Sequence, residues 1–506
     1  MGKQKRLYII GAGFAGRTLA AELKSKAIFG EVVAFLDDDP EKIGHKINGI
    51  PVLGPIKDVA LLLKTNPADE AIIAIPSAGK EYLKELYLIL KNANFQKIRI
   101  LPDISQIVED NAHLIQTRSI DLQDLLGRNP VTIKLKQSLS YVRGKRVLVT
   151  GAGGSIGSEL CRQLLSGGVA RLYLLGHGEN SIYQIDRELR LLQDEGVGEK
   201  AAIVPVIGDL KDADYIDYIL SQLKADAVFH TAAYKHVPMM EENPVAAIEN
   251  NVFGTENLIK SAIKHNVKRF VHISTDKAVS PVSVYGASKY ICEKLVLAAS
   301  EEAKGRDFPQ FVVVRFGNVL GSRGSIVPLF QKQIEKGGPV TVTHPDARRF
   351  FMTISEACSL VLKAGGVGEN GKLYLLDMGE PVRIRDLAEQ LIRFHGYEPD
   401  TEIKIEYIGL RPGERLDETL ISDDEEQNET EHSRILEVRK QRTKNKEQGT
   451  KKDDHSTSVN IHTLLEELRP VCRFDSSQPE VYRNAEKLKM ILNIHLISKL
   501  IAYQKT

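Results

Sequence analysis

Apolar residues in this chain fall in short runs that alternate with amphipathic stretches, and glycines mark where one gives way to the other. Arg6–Ile10 is a strand-like run entering Gly11-Ala-Gly13-Phe-Ala-Gly16 and then a helix start. This is the G-x-G-x-x-G spacing, whose glycines permit a tight turn and let a phosphate approach a helix N-terminus. A second run, 32–36, ends in Asp37-Asp38-Asp39-Pro40, which puts Asp37 about 20 residues past the last glycine, where a ribose-binding acid belongs. Further runs at Val52-Leu53, 71–75 and 97–101 complete a small α/β unit over 1–118. Such a turn also packs helix against strand for structural reasons alone. Where it binds a ligand, a nucleotide or nucleotide-sugar is expected before NAD.

Residues 119–143, through Asp124-Leu-Leu-Gly-Arg-Asn-Pro130, read as a connecting arm, and then the pattern restarts. Arg146–Thr150 leads into Gly151-Ala-Gly153-Gly154-Ser155-Ile156-Gly157, and a helix from about Ser155 would aim its first amides at a pyrophosphate. The next strand, 171–175, ends at Gly176-His177. NAD-binding folds often carry an acid there for the 2′-hydroxyl; its absence, with His177 and Arg187 at hand, favours NADP over NAD. Strand 204–207 delivers Asp209 and Leu210 to an adenine edge. Ala227–His230 delivers Ala232 and Ala233, small residues where backbone must approach a cofactor, and Asn251 lines the helix that follows. The expected fold is α/β: two Rossmann-like, doubly wound parallel-sheet domains, the second (144–438) carrying a small substrate subdomain.

The fifth strand, 268–273, runs into Ser274-Thr275-Asp276-Lys277 and on to Tyr285 and Lys289, at the strand ends where open α/β sheets keep their chemistry. Tyr285 and Lys289 are one helical turn apart and share a face. An ammonium beside a phenol lowers its pKa from about 10, giving a base for a sugar hydroxyl while hydride leaves the same carbon. Thr275 is placed to share that proton, and Asp276-Lys277 adds an acid and a base.

Composition narrows the function classes. Lys plus Arg is 68 against 67 Asp plus Glu, a net charge of +1, so no bulk electrostatic case for nucleic acid or an anionic membrane arises. Cys161, Cys292, Cys358 and Cys472 form no C-x-x-C pair, which fits a reducing cytoplasm and neither a disulfide frame nor a cysteine metal site. No His/Asp/Glu group has metal-ligand spacing. No apolar run nears the roughly 18–20 residues that span a bilayer, and the N-terminus enters a strand directly, so a soluble cytoplasmic chain is expected. Residues 439–458 are polar and read as a flexible linker. Helical apolar spacing returns at 461–468 and 482–501, in a C-terminal extension (459–506) that packs back or joins a homo-oligomer contact.

Taken together, these residues resemble the extended short-chain dehydrogenases/reductases, and within them the bacterial nucleotide-sugar 4,6-dehydratases of surface-polysaccharide synthesis. The likeness is carried by Thr150-Gly-Ala-Gly-Gly-Ser-Ile-Gly-Ser-Glu159, His230-Thr-Ala-Ala-Tyr-Lys-His-Val-Pro-Met-Met-Glu241, Ser274-Thr-Asp-Lys277, Tyr285-x-x-x-Lys289, Arg315-Phe-Gly-Asn-Val-Leu-Gly-Ser322, Arg349-Phe-Phe-Met-Thr-Ile354 and Arg411-Pro-Gly-Glu414. Thr275-Asp276-Lys277 is similar to the UDP-N-acetylglucosamine branch. The resemblance implies that Tyr285, Thr275 and Lys289 oxidise C4 with a tightly held NADP or NAD. It further implies that Lys277 removes the C5 proton while Asp276 protonates the departing C6 hydroxyl, before hydride returns to C6. For substrate binding it implies Lys235, His236, Asn318, Ser325, Arg349, Arg411 and Glu414, with Glu418 in the same loop near the nucleotide end. Two features depart from the larger members: the membrane helices that usually begin them are not in this sequence, and Tyr285 stands where many of them carry Met. Retention or inversion at C5 stays open, and so do a C4 epimerase and a non-catalytic NADP-binding regulator.

Overall fold

Val147, Leu148 and Val149 have no accessible surface, because their strand has a parallel neighbour on each side and covered faces above and below. Side chains alternate across a strand, so Val147 and Val149 enter one core and Leu148 the other. In this computed structural model the described residues are 5–26, 30–75, 80–95, 97–100, 118–119, 139–198, 200–302, 310–395, 397–441, 460–474 and 476–497. The chain divides into two units: Met1–Thr132 with Glu389–Glu402, and Ile133–Ala388 with Ile403–Thr506.

The first unit has strands β1 (Arg6–Ile10), β2 (Glu31–Leu36), β3 (Glu70–Ile73), β4 (Lys97–Ile100) and β5 (Arg118–Ser119), in sheet order β2-β1-β3-β4-β5. The first four pair in parallel and β5 antiparallel. Helices α1 (Phe14–Lys26) and α2 (Lys80–Asn92) follow β1 and β3. Val52-Leu53, expected as a strand, makes only a single bridge to Phe35. Gly54 and Pro55 follow at once, and proline offers no amide to continue a ladder.

In the second unit, β6 (Arg146–Thr150), β7 (Arg171–Gly176), β8 (Ala202–Ile207), β9 (Ala227–His230), β10 (Arg269–Ile273), β11 (Gln310–Arg315) and β12 (Lys372–Leu376) are parallel. They are joined by the antiparallel pair β13 (Glu425–Glu429) and β14 (Ile435–Lys440), in sheet order β8-β7-β6-β9-β10-β11-β12-β14-β13. Order reverses between β6 and β9, the switch point where such sheets bind ligands. Helix α3 (Ser155–Ser166) starts directly after β6, and α4 (Val284–Glu302) carries Tyr285 and Lys289.

The expected arm and linker are only partly described. Leu139 and Val142 are buried in the second unit's core, while 120–138 lie outside the described residues. Arg439 and Lys440 end β14, and 442–458 lie outside them too. The tail packs back on its own unit. Helices α5 (Ile461–Cys472) and α6 (Ala485–Leu492) bury Leu464, Leu468 and Leu488 against Phe253 and the Tyr285 helix, flanked by Arg469–Glu256 and Arg483–Glu249 ion pairs at 3.0 Å. Residues 498–501 of its last expected helix are outside the described set. Among the described residues no helix is long and apolar enough to cross a membrane, and no group of three or more His, Cys, Asp or Glu residues could hold a metal ion.

Candidate active site

Above the switch point opens a cavity of about 1180 Å³. One wall is the glycine turn after β6. Gly151 has φ of 66°, and a Cβ there would lie 2.8 Å from the Ala232 backbone; one on Gly157 would lie 2.2 Å from the Gly151 carbonyl oxygen. Both positions need glycine, and the close packing leaves Gly154, Ser155, Ile156 and Gly157 lining the cavity at the α3 N-terminus. Ala233 lines it too, whereas Ala232 packs against Gly151. Outside it lie His177, edge-on to Tyr234 with ring centroids 6.4 Å apart, and Asp209, which pairs with Lys211 at 3.4 Å. Leu210 is buried in the core.

Asn251 departs from the sequence expectation. It sits fully buried in a π-helical turn, Ile248–Phe253, accepts from the Tyr234 amide at 2.8 Å and donates to the Tyr234 carbonyl at 3.0 Å and to Ser288 Oγ at 2.9 Å. Its side chain is saturated by protein partners, so it braces the Tyr285 helix instead of touching a cofactor.

Tyr285 and Lys289 both line the cavity. Lys289 Nζ donates to the Ile273 carbonyl at 2.6 Å and meets His272 Nε2 at 3.1 Å. An ammonium has three donors, so these two acceptors leave one for the cavity. Sheet register places the histidine: Thr150, His230 and His272 are direct neighbours across β6, β9 and β10. Thr150 Oγ1 and His230 Nδ1 are 2.7 Å apart, and burial holds both imidazoles neutral, His230 pushed down to about 3. Burial also lowers the Lys289 pKa. The phenol runs against expectation: burial pushes Tyr285 up to about 12, with Lys277 and the Thr275 hydrogen bond pulling it partly back.

The strand end after β10 builds a second group. Lys277 Nζ lies 2.9 Å from Asp276 Oδ1, 3.0 Å from Asn318 Oδ1 and 3.7 Å from Glu418 Oε1. Desolvation alone would lower its pKa, but Asp276 and Glu418 together raise it, so the proton rests on the lysine. Asp276 is fully buried; its Oδ1 also accepts from Thr275 Oγ1 at 2.9 Å, and it is not part of the cavity wall, unlike Thr275 and Lys277.

All seven expected substrate residues line the cavity: Lys235, His236, Asn318, Ser325, Arg349, Arg411 and Glu414. Two of them are also held by protein partners. Arg349 donates to the Leu416 carbonyl at 2.8 Å and the Arg415 carbonyl at 2.7 Å, gripping the loop after Arg411. Arg411 closes on Glu414 at 2.5 Å. Lys235, its pKa lowered by burial and by Arg323 and Lys277, reaches Ser322 at 3.5 Å, and the His236 ring covers Gly324. Sequence reasoning missed Arg323, whose guanidinium hydrogen-bonds the Gly153 carbonyl and whose amide donates to Ser155 Oγ at 3.0 Å. A cation between glycines at Gly321-Ser-Arg323-Gly324 was the available signal. Seven cationic side chains face the cavity against two carboxylates, a wall suited to an anionic diphosphate.

Comparison with known proteins agrees with this architecture. Residues 147–440 match the family described as polysaccharide biosynthesis protein, and residues 2–102 match a CoA-binding domain. The capsular polysaccharide biosynthesis protein CapD of Staphylococcus aureus is 43% identical over 427 residues, 84% of this chain and 69% of that protein. A UDP-N-acetylglucosamine 4,6-dehydratase (inverting) of Campylobacter jejuni is 34% identical over 284 residues, 56% of this chain and 79% of that one. A UDP-glucose 4-epimerase of Rickettsia canadensis is 35% identical over 291 residues, with the same 56% of this chain and 79% of its own length. Among solved structures, Pen from Bacillus thuringiensis superposes with a TM-score of 0.54 at 34% identity, covering 59% of this chain and 90% of that one. The chain belongs to the polysaccharide biosynthesis protein family, in the nucleotide-sugar dehydratase and epimerase group of the extended short-chain dehydrogenases/reductases.

Proposed function

We propose that the second unit is a 4,6-dehydratase of a UDP-N-acetylhexosamine, UDP-N-acetylglucosamine first, serving surface-polysaccharide synthesis. The observation that carries this reading is the Lys277–Asp276 pair, 2.9 Å apart beside the Tyr285 and Lys289 pair. Oxidation at C4 needs only a base near a hydride acceptor, whereas loss of water across C5 and C6 needs an additional acid and base. The glycine cradle at 151–157 fits a dinucleotide, NADP before NAD because Gly176 ends β7 without a carboxylate. When bound, that group supplies a hydride acceptor, later a hydride donor, and positive charge that favours the phenolate.

The chain's own residues do the rest. Tyr285 takes the C4 hydroxyl proton, with Thr275 holding the phenol and Lys289 offering its remaining N–H. The 4-ketone then acidifies the C5 hydrogen, which Lys277 removes once its own proton has moved to a carboxylate. Arg411, Lys235, Arg323 and Lys332, which line the same cavity, hold the diphosphate. The test is product mass: incubated with UDP-N-acetylglucosamine, the enzyme yields a sugar lighter by one water, and Tyr285→Phe lowers turnover at least 100-fold.

A 4-epimerase is the second reading, favoured by the Rickettsia relative and by Tyr285 with Lys289, which suffice for it. An epimeric product of unchanged mass would replace the dehydratase with this activity.

A further inference from the structure

Lys289 is a long, flexible cation set in the core, and a buried ammonium needs partners for its three N–H groups. Strand β10 supplies two acceptors from its last two residues, the Ile273 carbonyl at 2.6 Å and His272 Nε2 at 3.1 Å. His272 is itself an odd side chain for a core position. It has no accessible surface, Lys289 is its one hydrogen-bond contact among the described residues, and its Nδ1 is buried without a partner. Packing alone would be met better by an apolar side chain of that size, because an unpaired buried nitrogen destabilises the fold. The imidazole is neutral: burial, Lys289 and the His230 ring, with its centroid 5.1 Å away, all oppose protonation. A neutral ring with its proton on Nδ1 has a lone pair on Nε2 for the lysine, and a charged ring has none. The other titratable groups around Lys289 are engaged elsewhere. Glu293, on the same helix, accepts from Arg315 at 2.8 Å and Ser274 at 2.6 Å, and Cys292 bonds to the Asn251 carbonyl at 3.0 Å. His230 has its two nitrogens on Thr150 and Thr255, at 2.7 and 2.8 Å, and Asp276 pairs with Lys277 at 2.9 Å. Tyr285, one turn earlier, is held by Thr275.

We propose that His272 is a positioning residue for Lys289: it takes an N–H that the Ile273 carbonyl leaves over, aims the third into the cavity and keeps the lysine charged while Tyr285 acts as base. This rests on the reading of Tyr285 and Lys289 as the pair that oxidises C4, which the dehydratase and the epimerase share, and it deepens that reading. Without the imidazole, two N–H groups instead of one are left for the cavity and the side chain gains rotamers. The charged form also becomes easier to lose. Burial already lowers the Lys289 pKa, so removing an acceptor lowers it further and the lysine sheds its proton at a lower pH. On the alkaline side of a pH profile the phenolate then lacks its ammonium.

The test uses the full chain with UDP-N-acetylglucosamine. Profiles of kcat/KM against pH, absorbance of reduced nicotinamide, product identity and thermal melting are followed for wild type, His272→Leu and His272→Gln. His272→Leu fills the space and accepts nothing. It is expected to lower kcat about tenfold and to move the alkaline limb of kcat/KM down by about one pH unit, the size of one hydrogen bond to a charged group. His272→Gln, whose carbonyl oxygen accepts in place of Nε2, should return the rate to within about threefold and the limb to within about 0.3 unit of wild type. Where leucine does not fold, His272→Met, a flexible apolar filler, takes its place with the same expectation. An alkaline limb unmoved in the apolar variant overturns the proposal. So does a His272→Gln that falls as far as His272→Leu, because both would then report packing alone. A wild type that neither reduces its nicotinamide nor changes the sugar overturns the reading of Tyr285 and Lys289 itself, and a working wild type whose variants share its profile overturns only the role of His272.

Discussion

The two glycine turns are built alike and surrounded differently. In each, the last glycine lets the helix pack on the first glycine's carbonyl: a Cβ would lie 2.0 Å from it at Gly16 and 2.2 Å at Gly157. In the first unit Asp37, at the end of β2, folds back to accept from the Ala12 amide at 2.6 Å and pairs with Lys42 at 3.3 Å. In the second, the matching strand ends in Gly176, and the turn opens on a cavity walled by Tyr285, Lys277 and Lys289. A glycine turn is therefore a packing device that recurs, and chemistry is added by what later strands bring to it. A nucleotide or nucleotide-sugar remains the ligand we propose for the first turn.

The largest expected effect tests that contrast directly. Gly157→Ala and Gly16→Ala introduce the same clash, yet Gly157→Ala should abolish cofactor retention and cut turnover at least 100-fold. Gly16→Ala should destabilise the first unit by about 1–3 kcal/mol and leave turnover within twofold. Cofactor content after gel filtration and steady-state rates check both. Equal losses of activity would mean that the first turn serves the reaction.

Acid should separate the units next. His230 and His272 are buried neutral, their pKa values depressed below the unfolded 6.5, so they contribute stability that is present above about pH 6.5 and is lost as pH falls. Each costs the second unit about 1.4 kcal/mol per pH unit below that point until its folded pKa is reached, near 3 for His230. In the first unit Glu70, lowered from 4.5 by its Lys5 and Arg99 partners against an opposing burial effect, begins to lose its contribution only below about 4.5. Hydrogen exchange between pH 6 and 5 should show the second unit loosening first; simultaneous loosening would count against the histidines.

The smallest effect concerns Asp37. Asp37→Ala strips the acceptor from the Ala12 and Asp39 amides, costing the first unit about 1–2 kcal/mol by thermal melting, with turnover unchanged. A fall in turnover would join Asp37 to the reaction.

Much of this was legible from the chain alone. Strand and helix positions follow from apolar periodicity, the two cradles from glycine spacing, and the Tyr285–Lys289 and Asp276–Lys277 pairs from separations shorter than a helical turn or two. All seven substrate residues read from the resemblance do line one cavity. The misreadings share a cause. Asn251 looked like a cofactor contact and Tyr285 like a lowered phenol, and each was decided by burial or by partners far along the chain.

Local order was thus determined by sequence, because hydrophobic period, glycine and proline act over a few residues. Tertiary structure decided the rest: strand register set His272 against Lys289, a gripped loop set Glu418 beside Lys277, and enclosure withdrew Asp276 from the cavity. Charge and desolvation act through space, and no spacing along the chain records which distant groups the fold will bring within 4 Å of each other.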